Sequence, residues 1–246
     1  MTSESRASST VRGVRERARS EITAAIKDEA RRQLAAEGAA KLSLRAVARE
    51  LGMVSSALYR YFPSRDELLT ALIVDAYDAI GAAAERALAD VDATAPSGQP
   101  APVARWTAVC SAVRAWALAH PHEYALIYGS PIPGYAAPPA TVGPASRVGL
   151  VLVSIARDAH RGPGVAPAPL PAELRAEADR LTAGLAPDLP PALVIALVAG
   201  WAEVFGLISF EVFGQFTRFV EDRDTFFGHS VSRIARDAGL VLSRTP

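Results

Sequence analysis

The segment Leu44–Phe62 constrains the fold most strongly, because it predicts two short helices joined by a tight turn. The apolar residues of its first part recur at the i, i+3, i+4, i+7 spacing of one buried helix face: Leu44, Val47, Ala48 and Leu51. Gly52 follows at the position where a helix C-terminus favours a left-handed residue. The hydroxyls of Ser43 and Ser55 are predicted to cap the two helices, and Ser64 is predicted to cap the helix that follows.

The second helix of this pair is predicted to span only about two turns. Its apolar residues Leu58, Tyr61 and Phe62 share one face. The side chains left to point outward are Ser55, Ser56, Tyr59 and Arg60. Small hydroxyls, a tyrosine and an arginine on the outer face of a helix-turn-helix are typical of proteins that enter the major groove of DNA. Short helix pairs joined by glycine also occur in all-α proteins that bind no nucleic acid, so a protein-binding helical module stays an alternative.

Charge is divided unevenly along the chain. The 246 residues have a formal net charge of zero, but residues 1–65 carry 13 Lys and Arg against 7 Asp and Glu, a net charge of +6. The rest of the chain carries 13 against 19, a net charge of −6. A cationic N-terminal quarter attached to an anionic remainder indicates that the first part meets phosphates and the second does not.

Helical stripes without strand-like alternation predict an all-α chain. Residues 1–15 have almost nothing to bury and are predicted to form a flexible basic arm, whose arginines are candidates for further phosphate contacts. Residues 16–65 are predicted to form a tri-helical helix-turn-helix DNA-binding domain, and residues 66–246 a larger helical domain for ligand binding and dimerisation. A helix over residues 64–89 is predicted to connect the two domains.

The region 192–216 is apolar on nearly every side, which a helix exposed to solvent cannot be. We therefore expect dimerisation through this helix and the one over residues 222–242. Glu203 interrupts the longest apolar run, so no membrane span is predicted. Within the same helix Glu203 and Glu211 need a solvated cavity or a partner, for which Arg114, Arg218 and an arginine of the other subunit are candidates.

Few residue patterns point to catalysis or metal binding. Cys110 is the single cysteine, so the chain alone can form neither a disulfide nor a thiolate metal cluster. The rival class, an enzyme, has no motif in its favour, since no Gly-rich phosphate loop, Gly-x-Ser-x-Gly or His-Glu-x-x-His is present. The N-terminus lacks the hydrophobic core of a signal peptide. These observations favour a cytoplasmic protein without a cofactor.

The segment Leu44–Arg65 resembles the DNA-binding signature of the TetR family of transcriptional regulators, and Leu58–Arg65 is the most specific part of the match. The resemblance implies a homodimeric repressor that binds a palindromic operator on double-stranded DNA and leaves it when a small ligand binds. The positions that it places at the DNA are Ser43, Arg45, Ser55, Ser56, Tyr59, Arg60, Tyr61 and Arg65. Ser43 and Ser55 also fit as helix caps, Tyr61 as a core residue and Arg45 as a solvated surface charge.

Aromatic residues in the predicted helices of the second half are candidate walls of a ligand cavity. Such walls with few polar groups suit an unknown small-molecule effector that is mostly apolar. The candidates are Trp106, Cys110, Arg114, Tyr124, Tyr128, Trp201, Glu203, Phe205 and Phe210. The same residue types also occur in ordinary cores. Val113–Gly129 and the later Trp201 and Gly206 are similar to a TetR C-terminal subtype named for a Trp-His-Gly motif, in which Phe205 takes the place of the histidine.

Overall fold

Ten α-helices form the regular structure of the residues that the computed structural model describes, namely 3–94, 101–162 and 164–241, with side chains from Gly13 onward. The helices are α1 (Ser3–Glu37), α2 (Leu44–Glu50), α3 (Ser55–Leu58), α4 (Arg65–Ala93), α5 (Pro102–Ala119), α6 (Pro121–Tyr128), α7 (Val142–His160), α8 (Arg175–Leu185), α9 (Pro191–Val212) and α10 (Arg223–Asp237). Among these residues, one isolated bridge between Val165 and Leu240 is the sole β-type contact. The predicted all-α class is confirmed.

The first helix is longer than the sequence predicted. It begins at Ser3 rather than near Glu16, so residues 3–15 are not a flexible arm. These residues include no proline. A helix that is nucleated by the buried turns around Ile26 gains one hydrogen bond for each residue that extends it. Met1 and Thr2, which complete the predicted arm, lie outside the described residues.

The two C-terminal helices are shorter than predicted. The predicted helix 192–216 is α9, and it ends earlier because Gly214 adopts a left-handed φ of 78°. The predicted helix 222–242 is α10, and it also ends earlier, just before Gly239 with a φ of 95°. Both corrections concern turn geometry, which helical periodicity does not report.

The described helices group into two compact units. The first unit consists of residues 1–76 and 122–141, and the second of residues 77–121 and 142–246. The helix α4 supplies residues to both units. The sequence had assigned the segment 122–141 to the ligand-binding domain, whereas the structure places it with the helix-turn-helix.

One apolar core holds the first unit together, and it consists of Ile26, Ala30, Leu34, Leu42, Leu44, Val47, Ala48, Leu58, Phe62, Leu68, Leu69 and Leu72. The segment 122–141 packs Leu126, Ile132 and Tyr135 against this core. The Tyr135 hydroxyl lies 2.9 Å from the Thr70 hydroxyl of α4. These contacts explain why a segment distant in sequence joins this unit.

Ion pairs link three helices of the first unit. Arg31 of α1 lies 2.6 Å from a carboxylate oxygen of Asp75 in α4. The same guanidinium lies 3.2 Å from Glu123 in α6. Lys27 adds a second cation at 2.7 Å from Asp75. The helix α1 is therefore held to α4 and α6 by charge as well as by apolar packing.

In the second unit, α5 packs against α7, α9 and α10, and α8 packs against α9. The buried Arg105 of α5 lies 2.8 Å from Asp92 of α4 and 3.0 Å from Asp158 of α7. This guanidinium ties the end of α4 to two neighbouring helices. A buried charge of this kind persists only when it is paired, so the three residues form one structural set.

A second arginine holds α4 against α7. Arg147 lies 2.7 Å from Asp78 and 2.7 Å from Glu85, two residues of α4. Its hydrogen bonds lower the pKa of the Glu85 carboxyl. Gly81 lies between them in α4, and a Cβ there would come within 2.7 Å of the Arg147 Cβ. The close approach of the two helices therefore requires a glycine at this position.

Candidate nucleic-acid interface

Local hydrogen bonds fix the turn between α2 and α3. The Ser43 hydroxyl accepts a hydrogen bond from the Ala46 N–H at 3.4 Å, which confirms Ser43 as the cap of α2. Gly52 adopts a φ of 64°, and the Met53 N–H donates to the Ala48 carbonyl at 2.8 Å. The left-handed conformation carries little penalty for glycine, so the predicted role of Gly52 is also confirmed.

The helix α3 is shorter than predicted and continues as a turn after Leu58. The N-cap residue is Val54, which makes no side-chain cap, so the predicted capping by Ser55 is wrong. Ser55 is already the first helical residue, and its hydroxyl lies too far along the helix to serve the first free amides. Leu58 and Phe62 are buried and hold the inner face of α3 on the core.

Four of the predicted DNA-binding side chains lie on the surface. They are Arg45, Ser56, Tyr59 and Arg60, and Ser55 is partly exposed. Tyr59 is 40% exposed despite its large apolar ring. Hydroxyls and a guanidinium can hydrogen-bond to phosphates and base edges, so this surface has the chemistry that a DNA duplex requires.

Val54 belongs to the same surface, although the sequence reasoning did not select it. It is apolar and yet 71% exposed at the N-cap of α3. An exposed apolar side chain in the major groove can contact the methyl group of thymine. The sequence feature that could have identified Val54 is its position in the turn after Gly52, directly before Ser55.

Arg65 makes hydrogen bonds within the first unit. Its Nε donates to the Leu42 carbonyl at 3.2 Å, and its Nη2 donates to the Ala39 and Ala40 carbonyls at 2.9 and 3.2 Å. Its Nη1 lies 3.6 Å from Asp66. The guanidinium thus ties the start of α4 to the turn before α2. Arg65 is a positioning residue of the helix-turn-helix, with few donors left for a phosphate.

Tyr61 faces α1 rather than open solvent. Its ring packs against the core of the first unit. The guanidinium carbon of Arg19 lies 5.1 Å from the ring centroid, and Arg19 Nη2 lies 3.4 Å from the Arg60 carbonyl oxygen. The structure therefore favours the core role of Tyr61. It also adds Arg19, which the sequence reasoning did not select, to the edge of the interface.

The predicted ligand-binding residues are divided between the two units. Tyr124 and Tyr128 belong to the first unit, where their ring centroids lie 5.2 Å apart. The other candidates belong to the second unit, in which Trp106, Cys110 and Phe205 are buried. Burial raises the pKa of the Cys110 thiol, so this cysteine stays protonated at neutral pH.

Trp106 carries a buried polar atom in the core of the second unit. Its indole N–H has no hydrogen-bond partner among the described residues. The ring is fully buried beside Gly200, where a Cβ would lie 3.7 Å from it. A buried donor without an acceptor is costly. Among the candidates, Trp106 is therefore the one with an unmet hydrogen bond that a ligand could supply.

Arg114 and Glu211 form a tightly paired set of charges. Arg114 Nε and Nη2 lie 2.6 and 2.7 Å from the two carboxylate oxygens of Glu211. Arg114 Nη1 lies 2.7 Å from Asp224, and the guanidinium lies 5.0 Å from the Phe227 ring centroid. The hydrogen bonds from Glu211 are the main cause of a raised pKa for Arg114. The predicted salt bridge of Glu211 with Arg114 is confirmed.

The remaining ligand candidates lie at exposed positions of α9, with Trp201 on the opposite side of the helix from Glu203 and Phe210. Trp201 and Phe210 are 38% and 54% exposed. Glu203 lies 3.9 Å from Arg233 of α10, and both side chains are half exposed. In length and composition α9 and the segment Pro139–His160 also match membrane spans. The core helices of soluble proteins share that composition, and α9 packs against α5, α8 and α10.

An outward-facing set of hydroxyl, tyrosine and arginine side chains on a core-supported helix-turn-helix defines a DNA-binding protein of the helix-turn-helix class. Comparison with known proteins identifies the family within this class. Residues 26–72 match the family model of bacterial regulatory proteins of the tetR family, and residues 106–234 match that of tetracyclin repressor-like C-terminal domains. The chain belongs to the TetR family of transcriptional regulators.

Individual relatives agree with this assignment. The chain is 46% identical over 211 residues to the HTH-type transcriptional regulators Rv1816 of Mycobacterium tuberculosis and Mb1846 of Mycobacterium bovis, over 83% of this chain and 86% of each relative. The crystal structure of the regulatory protein SCO4313 is similar with a TM-score of 0.73 and 33% identity, over 89% of this chain and 97% of that one. PfmR from Thermus thermophilus shares the fold, with a TM-score of 0.53 and 18% identity over 86% of this chain and 97% of PfmR.

The family assignment confirms a DNA-binding transcriptional regulator. Members of the family typically form homodimers and bind small ligands, and they are in general soluble cytoplasmic proteins and normally not enzymes. The model that matches the second half does not carry the Trp-His-Gly description, so that subtype stays a prediction. Within the described residues, no group of three or more His, Cys, Asp or Glu side chains is arranged to hold a metal ion.

Proposed function

We propose that the protein is a repressor without enzymatic activity, which binds a palindromic operator as a homodimer and leaves it when a small, mostly apolar ligand binds. The observation that carries the proposal is the construction of α3. Leu58 and Phe62 anchor its inner face in the core, and Ser56, Tyr59 and Arg60 lie on the surface. Two such helices about 34–36 Å apart reach successive major grooves on one side of a duplex.

Contacts with DNA divide into two groups in this proposal. Arg45, Ser55 and Ser56 lie nearest the base edges, while Tyr59 and Arg60 bind the phosphate backbone. The other positions implied by the resemblance act through structure: Ser43 caps α2, Tyr61 packs beside Arg19, and Arg65 holds the turn before α2. Phosphate contacts supply most of the salt-sensitive affinity, and the base contacts supply the sequence preference.

The second unit is the proposed ligand-binding and dimerisation part. The buried indole N–H of Trp106 offers a hydrogen bond to a ligand in otherwise apolar surroundings. Because α4 has residues in both units, a ligand that changes the packing of its second half alters the spacing of the two α3 helices in the dimer. A near-complete switch requires about 5.5 kcal/mol of differential binding between the two conformations.

The direct test is retention of duplex DNA by the purified protein. Genomic fragments are incubated with the full chain at low salt, and the bound fragments are recovered and sequenced. We expect a set of fragments that share a palindrome, with affinity that falls about a thousandfold or more between 50 and 200 mM salt. Failure to retain any fragment at low salt overturns the proposal.

The residue assignments have their own test on a recovered fragment. The paired variant Tyr59→Phe with Arg60→Ala is expected to weaken DNA binding about tenfold or more without changing thermal unfolding, because both side chains lie on the surface. Arg65→Ala is expected to lower the free energy of unfolding by about 1.5–3 kcal/mol, because three carbonyls lose a charged donor.

The matched control for these variants is Arg86→Ala, which removes an exposed arginine from the second unit. It should change neither DNA binding nor stability measurably. Unaltered DNA binding by the Tyr59 and Arg60 variant would show that α3 does not contact the duplex through these side chains. Unaltered stability of Arg65→Ala would remove the positioning role.

A further inference from the structure

Val54, the N-cap residue of α3, has the most exposed of the large apolar side chains in the described part of the chain. It is 71% exposed, whereas Leu58 at the other end of the same short helix is fully buried. A single exposed valine is common on protein surfaces and by itself indicates nothing. The position of Val54 makes it informative, because it directly precedes Ser55 and Ser56 of the proposed DNA surface.

Valine is a poor N-cap residue. The Val54 carbonyl accepts hydrogen bonds from the N–H groups of Ala57 and Leu58 at 2.9 and 3.4 Å, so its backbone begins the helix. Its side chain has no oxygen to offer to the free N–H groups of the first turn. The preferred cap residues are serine, threonine, asparagine and aspartate, and α2 and α4 do have serine caps, at Ser43 and Ser64. A serine in place of Val54 would therefore make α3 more stable.

The surrounding backbone holds Val54 in a fixed position. On its N-terminal side, Gly52 has a φ of 64°, and the Met53 N–H donates to the Ala48 carbonyl at 2.8 Å. On its C-terminal side, the buried Leu58 anchors α3 in the core of the first unit. In helix-turn-helix proteins the first residues of the second helix contact base edges in the major groove. The exposed valine is therefore held at the part of the surface where bases are contacted.

The chemistry of the valine side chain selects one group in that groove. Valine has neither a hydrogen-bond donor nor an acceptor, so Val54 cannot hydrogen-bond to a base edge through its side chain. The base edges in the major groove present acceptors, donors and one apolar group, which is the C5-methyl group of thymine. Contact between the valine and this methyl group removes apolar surface of both from water.

We propose that Val54 contacts the C5-methyl group of one thymine in each half-site of the operator and thereby makes thymine the preferred base at that position. This inference rests on the proposed function and deepens it, because it names a residue that selects the operator sequence. It also accounts for the missing side-chain cap of α3. A serine would stabilise the helix but would not make the apolar contact.

The test removes the methyl group from the DNA and the valine from the protein. The duplex is the palindrome of a recovered fragment, in which the symmetry-related thymines are replaced by uracil, one pair of positions at a time. Uracil pairs with adenine as thymine does and lacks only the C5-methyl group. The proteins are wild type, Val54→Ser and the matched control Val142→Ser, which changes a valine that is 66% exposed at the start of α7 in the second unit.

At one pair of positions, wild-type protein and Val142→Ser should bind the uracil duplex about fifteenfold more weakly than the thymine duplex. Burial of one methyl-sized group corresponds to about fourfold in each half-site, and the dimer contacts both. Val54→Ser should bind the two duplexes with equal affinity. Its thermal unfolding midpoint should rise by about 2–4 °C, because the serine hydroxyl caps α3, so loss of folding cannot explain the loss of preference.

Equal responses of wild type and Val54→Ser to uracil at every position overturn the inference, and so does a loss of the uracil response in Val142→Ser. A lower unfolding midpoint for Val54→Ser also overturns it, because the valine would then serve the fold. In each case wild-type protein still binds the thymine duplex, and the proposed function stands. If wild-type protein binds no duplex, the proposed function fails first, and the inference fails with it.

Discussion

At the scale of single residues, the second unit depends on the pairing of Arg114 with Glu211. Glu211 is 8% exposed, and its carboxylate accepts two hydrogen bonds from the guanidinium. Arg114→Met is expected to lower the free energy of unfolding by about 3 kcal/mol, because the carboxylate would remain buried without its partner. Equilibrium unfolding in urea measures the difference from wild type.

Arg233 provides the matched control for that prediction. Its guanidinium lies 3.9 Å from Glu203 and 2.7 Å from Asp237, and all three side chains are at least half exposed. Arg233→Met should change stability by less than about 0.5 kcal/mol, because an exposed pair is screened by water and salt. A similar loss in both variants would mean that burial does not set the strength of the Arg114 pair.

At the scale of helices, the caps of α3 and α4 differ although both begin near a serine. The Ser64 hydroxyl accepts a hydrogen bond from the Glu67 N–H at 3.1 Å, whereas the Ser55 hydroxyl caps nothing. Ser64→Ala is expected to cost about 1 kcal/mol of stability, and Ser55→Ala at most a few tenths. Thermal unfolding of the two variants decides this, and an equal loss would contradict the assignment of the caps.

The helices themselves followed from the sequence, because a buried stripe and a turn residue are local signals. Leu58 and Phe62 lie in the core, and Gly52 is left-handed, as their spacing predicted. The site was harder to predict, because the role of Arg65 depends on carbonyls 23 to 26 positions earlier in the chain. A hydrogen bond between residues so far apart in the chain produces no periodic pattern in the sequence. The sequence motif alone suggested that Arg65 contacts a phosphate.

At the scale of the whole molecule, the exposed apolar face of α9 is where we expect two copies of the chain to associate. Phe210 is 54% exposed there. Phe210→Glu is expected to shift the protein towards monomer in sedimentation velocity, because a carboxylate would have to be buried in the interface. Operator affinity should fall in parallel, since separate monomers bind the two half-sites independently.

Leu118→Glu is the control for this experiment, because Leu118 is 42% exposed and lies on α5 instead. It should leave the oligomeric state of the protein unchanged. If Phe210→Glu sediments as wild type does, the association surface lies elsewhere on the molecule.

The first unit is assembled from two separate stretches of chain, residues 1–76 and 122–141. Truncation of the chain at a single position therefore does not yield the complete first unit. A fragment that stops at residue 76 would leave behind Ile132 and Tyr135 and expose the apolar surface that they cover. Anyone who grafts this DNA-binding unit onto a foreign sensor must transplant both stretches together. A single-crossover chimera would be expected to aggregate even with every recognition residue intact.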